Sequence, residues 1–157
     1  MKQPFPIKIS AAERSDAAFI RILSREVFGR YGPYEEMLPH WFLSGIARTL
    51  VAVVNNELAG YVMLGMERHA SFRVTELLAI AVVPHHCHCG VGDRLMRAVI
   101  KTAEESGVDM MILHTGTHNL PAQSLFKKHG FMPEGVTERF YEGGQSALMM
   151  RKEMVHC

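Results

Sequence analysis

Between Leu77 and Leu95 an unbroken apolar run, Leu77 through Val83, meets Pro84, a short polar loop, and then Gly90-Val91-Gly92 at the head of a helical pattern. The run is short, rich in β-branched residues and closed by a proline that has no N–H for a ladder, so it reads as a buried strand. Beyond Gly92 the apolar residues Leu95, Met96, Val99 and Ile100 recur at the spacing of one helical face, with Asp93, Arg94, Arg97 and Lys101 on the other. Strand, turn and helix of this kind imply a helix packed on a sheet. The glycine-rich turn between them presents backbone N–H groups at the positive end of a helix dipole, a receptor for phosphate oxygens from which a Cβ would hold the ligand away. Many G-x-G turns are only tight connections, so the rest of the chain has to decide.

Upstream, Ile7 to Ile9 can open a first strand, and Ser10 with Glu13 has the form of a capping box for a helix from about Ala11 to Phe28, with Phe19, Ile20, Ile22, Leu23 and Val27 as its apolar stripe. Gly29 to Pro33 breaks that pattern, and a second helix is expected from Tyr34 to about Gly45. Thr49–Val54 and Leu58–Met66 flank Asn55-Asn56-Glu57 as an antiparallel hairpin, and Arg73–Val83 follows as the next strand. A helix from Gly92 to Ser106 and a strand from Val108 to His114 complete a parallel crossover unit, right-handed by the general rule. Asn119 to His129 reads as the last helix, and Phe131–Tyr141 with Ala147–Glu153 as a closing hairpin.

A chain of 157 residues with 48% apolar composition suffices for one core and is short for two, so a single domain over residues 1–157 is expected. Seventeen basic against sixteen acidic residues argue against a general nucleic-acid binder or a polybasic membrane anchor. No apolar run reaches bilayer length and the N-terminus lacks a leader-like segment, so a cytoplasmic protein is expected. The three cysteines Cys87, Cys89 and Cys157 do not form a disulfide framework.

The turn Cys87-His88-Cys89-Gly90-Val91-Gly92 is similar to the Q/R-x-x-G-x-G/A turn of the GNAT superfamily of acetyl-CoA-dependent N-acyltransferases, with both glycines in place and cysteine at the first position. Downstream, Asn119-Leu-Pro-Ala122-Gln-Ser-Leu125-Phe126-Lys-Lys-His-Gly130-Phe131 resembles that family's N-x-x-A-x-x-L-Y-x-x-x-G-F, with phenylalanine where tyrosine is usual. The resemblance is specific from Glu76 to Phe131 and loose before it. It implies an α/β (α+β) GNAT fold of the single-domain bacterial or archaeal type: a mixed, mostly antiparallel sheet of six to seven strands with a central parallel pair, flanked by about four helices on both faces. It further implies that backbone groups of Ala81, Val82 and Val83 pair with the pantetheine arm of acetyl-CoA. Cys87, His88, Cys89, Gly90, Val91, Gly92 and Asp93 would hold the pyrophosphate, and Asn119, Ala122 and Phe126 would lie on the donor side. In the family the parallel strands splay to admit the thioester, and the segment after the first strand folds over the acceptor, which places Tyr31, Tyr34, His40 and Trp41 at a substrate entrance. A homodimer is a further expectation of the resemblance.

Transfer of an acyl group from a thioester to an amine requires placement of the two reactants, a route for the amine's proton and something to meet the leaving thiolate. Glu76, eleven residues before Cys87, lies where the histone-acetylating branch of the family places its catalytic glutamate. His114 lies where N-terminal-amine acetyltransferases carry a glutamate base, and a histidine can take that proton near neutrality. Phe126 has no exchangeable proton, so Tyr141, Tyr34 or His118 would have to serve the thiolate, or it leaves into solvent. For Glu76 and His114 a solvated strand end is the competing reading, and for Trp41 a cap on the core. The segment Arg139-Phe-Tyr141 through Met150 is similar to the ending of N-terminal-amine acetyltransferases, including the ribosomal-protein alanine type, which makes a peptide amine an alternative to a small primary amine as acceptor. A non-catalytic acetyl-CoA sensor and a metal-binding module are the rival classes. His85-His86-Cys87-His88-Cys89 offers five consecutive ligands that cannot all converge on one tetrahedral ion, so no metal is expected. Of the thiols, Cys87 and Cys89 at a helix start are expected to react faster than Cys157 and to be protected by donor.

Overall fold

The computed structural model describes residues 6–68, 72–87 and 89–155, with the backbone alone of 66–68. In chain order it comprises β1 (Ile7–Ala11), α1 (Ala17–Phe28), α2 (Tyr34–Leu43), β2 (Ala47–Val54), β3 (Glu57–Arg68) and β4 (Arg73–Val82), followed by α3 (Val91–Glu105), β5 (Met110–Gly116), α4 (Leu120–Lys128), β6 (Met132–Thr137) and β7 (Ala147–Glu153). The strands form one seven-stranded sheet in the order β1-β2-β3-β4-β5-β7-β6. Among its pairings only β4–β5 is parallel. The mixed sheet expected from the sequence is therefore present, and no helix among the described residues is long and apolar enough to cross a membrane.

Each face of the sheet carries its own apolar cluster. On one, Val91, Leu95, Met96, Val99 and Ala103 of α3 and Phe126 of α4 pack with Leu64, Leu77, Met111, Leu113 and Met150. On the other, Ile20 and Leu23 of α1 and Leu38 of α2 pack with Val51, Tyr61, Met63, Ala79 and Ala81. Tyr61 is wholly buried there, and its hydroxyl is satisfied by Ser24 Oγ at 2.6 Å, which allows a phenol to sit in the core at little cost. The β2–β3 turn places Asn55 and Asn56 at φ 50° and 64°, the left-handed pair that a two-residue hairpin needs and that asparagine tolerates.

Three expectations are corrected, and one helix contains a residue that helices disfavour. Ser10 and Ala11 belong to β1, paired with Val51 and Leu50, because the cross-strand ladder outcompetes a helix start; the capping box is instead Glu13 with Asp16, whose Oδ2 accepts from the Glu13 N–H at 2.8 Å. Ile22 is 61% exposed, on the outer side of α1, and does not belong to its apolar stripe. Pro39 lies inside α2, where it is buried and the helix is short enough to tolerate one missing N–H donor. Finally, β6 ends at Thr137: Arg139 at φ 52° turns the chain, and the segment up to Ser146 folds back over the sheet as a loop.

Candidate active site

The β4–β5 ladder runs from Val74↔Met110 to Leu77↔Leu113 and stops, although β4 continues to Val82 and β5 to Gly116. Beyond that point the two strands diverge, and the edge of β4 turned away from β3 has no strand partner among the described residues. A register shift opposite Met63 and Leu64 puts Leu78 into β4 as an extra residue, and Gly65 makes room for it, since a Cβ there would meet Leu78 Cδ1 at 3.0 Å. Such a bulge reorients side chains beside a site. The resulting groove has a volume of about 850 Å³ and extends from Pro84, His86, Cys87, Gly90 and Gly92 through the gap between the strands to Phe28, Tyr31, Tyr34 and Trp41.

At the first end, α3 begins at Gly90, whose φ of 86° is left-handed, and no side chain caps the helix. Arg94 N–H donates to Gly90 O at 3.0 Å, so the first intrahelical bond starts there and the preceding N–H groups are left for a ligand. Gly92 lines the groove and also allows α4 to approach α3, since a Cβ there would meet Leu125 Cδ2 at 3.3 Å. The Val91 side chain is buried in the core, which leaves only its backbone for a ligand. Asp93 lines the groove, but its carboxylate accepts from Lys128 Nζ at 3.0 Å, His129 Nε2 at 2.8 Å and Arg97 at 3.1 Å. The Lys128 ammonium first, then His129 and Arg97, hold that carboxyl below the usual carboxylate range, against a smaller opposing effect of burial. Asp93 thus ties the end of α4 to the start of α3 and neutralises an acid that would oppose an anion at the turn.

Ala81 and Val82 line the groove and Val83 does not; the Val83 N–H donates to Ala59 O and its carbonyl accepts from His86 N–H, each at 2.8 Å, so the N–H is already used and the carbonyl keeps one lone pair. Asn119 lines the groove and caps α4, accepting from Ala122 N–H at 3.3 Å, and Ala122 lies beside it. Phe126 is 4% exposed, packed edge to face with Phe131 in the core and touching the groove only as part of its wall. Cys87 and Cys89 are both exposed free thiols; Cys87 lines the groove and Cys89 does not. His88 and Cys157 lie outside the described residues.

In the gap itself, Glu76 Oε1 and His114 Nδ1 lie 3.1 Å apart, with side chains 28% and 21% exposed, so the two candidate bases form one pair. His114 stacks on Phe140 at 4.5 Å with planes 10° apart. Tyr141 packs against Tyr31 at 4.7 Å and Tyr34 at 6.4 Å, making an aromatic wall. Burial first, then the Tyr34 and Tyr31 phenols and the Glu76 carboxylate, push the Tyr141 phenol well above its ordinary value; Tyr34 is raised by burial, then by Glu142 and Glu76. The loop carrying Phe140 and Tyr141 is fastened to the α1–α2 connection by Gly143 N–H to Tyr31 O at 3.1 Å and by Gln145 Nε2 to Arg30 O at 2.9 Å. Tyr31 in turn lies across Gly116, where a Cβ would meet its hydroxyl at 2.7 Å. Trp41 lines the groove while packing on the core, so both readings of it apply; His40 is exposed and does not line the groove. Phe140 was the site residue that the sequence reading passed over, because two consecutive aromatics before a glycine pair fit a hairpin strand as well as a folded-back loop.

A diverging parallel strand pair, an uncapped helix start at one end and a carboxylate–imidazole pair facing an aromatic wall at the other thus lie along one groove. The chain belongs to the acetyltransferase (GNAT) family, whose model matches residues 17–131, and it is an acyltransferase acting on amino groups. Acetyl-CoA is the donor of that family. A Bacillus subtilis (strain 168) protein with the provisional name [ribosomal protein bS18]-alanine N-acetyltransferase is 28% identical over 118 residues, 74% of this chain and 73% of that one. An N-alpha-acetyltransferase of Sulfurisphaera tokodaii is 29% identical over 113 residues, 66% and 68% of the two chains. A chain in the crystal structure of the NatC complex bound to Gag peptide and CoA superimposes with a TM-score of 0.81 over 95% of this chain and 99% of that one, at 18% identity, a likeness of fold.

Proposed function

We propose that this protein transfers the acetyl group of acetyl-CoA directly to the N-terminal α-amino group of a polypeptide, within a ternary complex. The observation that carries this reading is the gap beyond Leu77↔Leu113, with Glu76 and His114 lining the groove that runs through it. The pyrophosphate rests on the backbone at Gly90 to Asp93, and the pantetheine follows the free edge of β4 at Ala81 and Val82. From the Tyr31, Tyr34 and Trp41 side the amine attacks the thioester carbon; the C–N bond forms, the C–S bond breaks and the sulfur departs as thiolate. Glu76, through His114 or water, accepts the proton the amine loses.

Tyr141 serves as a hydrogen-bond donor to the developing charge. A phenol pushed above its ordinary range does not give its proton outright to a thiolate of pKa about 8.5, and Phe126 leaves no alternative at the usual position. A peptide acceptor is favoured over a small amine by the names of the two relatives, and the fastened aromatic loop supplies a fixed wall beside the gap. The test is mass spectrometry of peptides acetylated from acetyl-CoA: α-amine modification with lysine ε-amines unmodified is expected, and transfer only to small amines would overturn the acceptor while leaving the donor site standing.

A further inference from the structure

Glu57 at the start of β3 and His85 just past the end of β4 lie at the same open end of one antiparallel strand pair. The β3–β4 register that sets Gly60 against Val82 places the residue at 57 across from 85 when extended, and the Val83 N–H bond to Ala59 O keeps that alignment past the end of β4. Pro84, His85 and His86 form a single 3-10 turn there, closed by His86 N–H to Val83 O at 2.8 Å and Cys87 N–H to Pro84 O at 3.1 Å. One ligand-capable atom from each of Glu57, His85 and His86 lies within 4.8 Å of the other two. The two imidazole rings are 4.2 Å apart at 44°, and Nε2 of His86 is enclosed with no hydrogen-bond partner among the described residues. An enclosed imidazole nitrogen without a partner is costly unless something satisfies it.

We propose that Glu57, His85 and His86 bind a divalent transition metal, Zn²⁺ by ligand chemistry, with water as the fourth ligand. Two imidazoles and one carboxylate are a recurrent zinc set, and bond lengths near 2.0–2.2 Å would bring the three atoms to about 3.5 Å apart. Glu57 and His85 are exposed, so side-chain rotation alone can close that distance. The five consecutive ligands of the loop cannot all converge on one ion, but two of them, His85 and His86, need only one more side chain, and it comes from a strand twenty-eight residues before His85. Since His86 also lines the groove, the ion ties the loop leading to Gly90 to the start of β3. Neither Glu76 nor His114 takes part, so the ion lies outside the proposed proton path.

Calorimetric titration of untagged protein with ZnCl₂ tests this without reference to activity. A single ion per chain is expected, with affinity falling at least about 10-fold in Glu57→Gln and in His85→Ala; both side chains are on the surface, and circular dichroism checks that the variants fold. Co²⁺ in place of Zn²⁺ should give visible d–d bands without thiolate-to-cobalt charge transfer. Absence of binding, unchanged affinity in the Glu57→Gln/His85→Ala double variant, or a charge-transfer band that assigns the ion to Cys87 or Cys89 would each overturn the proposal.

Discussion

Glu76 and His114 share one hydrogen bond, so each fixes the orientation of the other and a change at either is felt at both. Glu76→Gln keeps the shape and removes the basicity. It should lower kcat/KM about 100-fold at neutral pH, with the deficit shrinking as pH rises toward the amine's own pKa. An unaltered pH–rate profile would remove Glu76 from the proton path and make His114→Ala the decisive variant. Asp93 is a stability residue first. Its carboxyl is held down by Lys128, His129 and Arg97, so its contribution is complete above about pH 4 and is lost as pH falls through the lowered folded value. Asp93→Asn should therefore cost about 1 kcal/mol at pH 7 by denaturant unfolding. The two proteins should converge only once the pH has fallen below the lowered folded value of Asp93, where both side chains are uncharged; a constant offset at every pH would contradict the assignment. The sequence placed Asp93 on the phosphate side of α3 because it sits in the first turn. Its partners on α4 could not be read from it, since they become neighbours only through tertiary packing.

At the scale of elements, the turn into α3 depends on two glycines for different reasons. Gly90 has open space around its absent Cβ, the nearest atom being Ile7 Cδ1 at 3.9 Å, so its constraint is the left-handed backbone itself. Gly90→Val forces that backbone away and should weaken acetyl-CoA binding at least about 10-fold by calorimetry, whereas Gly92→Ala acts mainly through Leu125; an unchanged donor affinity in folded Gly90→Val would refute the anion seat. The thiols report on the same turn. Iodoacetamide should modify both Cys87 and Cys89, and saturating acetyl-CoA should slow Cys87, which lines the groove, with little effect at Cys89; equal labelling of Cys87 with and without donor would place the ligand elsewhere. The strands and helices from Leu58 to Lys128 were legible because their hydrophobic period is local. The loop after Thr137 was not: Arg139 adopts a conformation that sequence disfavours, and what holds the loop is a set of bonds to Arg30 and Tyr31, more than a hundred residues earlier.

Across the whole molecule, the site exists because one sheet changes its pairing in the middle. Antiparallel hairpins on either side fix β4 and β5 firmly, while the parallel pair between them is held only at its start, where Arg73 and Asp109 exchange backbone and side-chain bonds at 2.8 Å. Burial of the two faces under separate helix pairs then leaves the divergent half of that pair as the groove. Both candidate bases were named through the family resemblance, Glu76 by its spacing to the loop motif and His114 by its place at a strand end, but their mutual contact follows from the register that sets Glu76 beside Ile112, which no local pattern reveals. The claim on which the account rests is that donor and amine meet in this gap at the same time. A conjugate in which CoA is joined through its acetyl group to the α-nitrogen of a short peptide spans both ends of the groove, so it gains the second contact without a second loss of translational freedom. Its dissociation constant by calorimetry should be at least about 100-fold lower than that of CoA alone, and an affinity equal to that of CoA would contradict direct transfer through the gap.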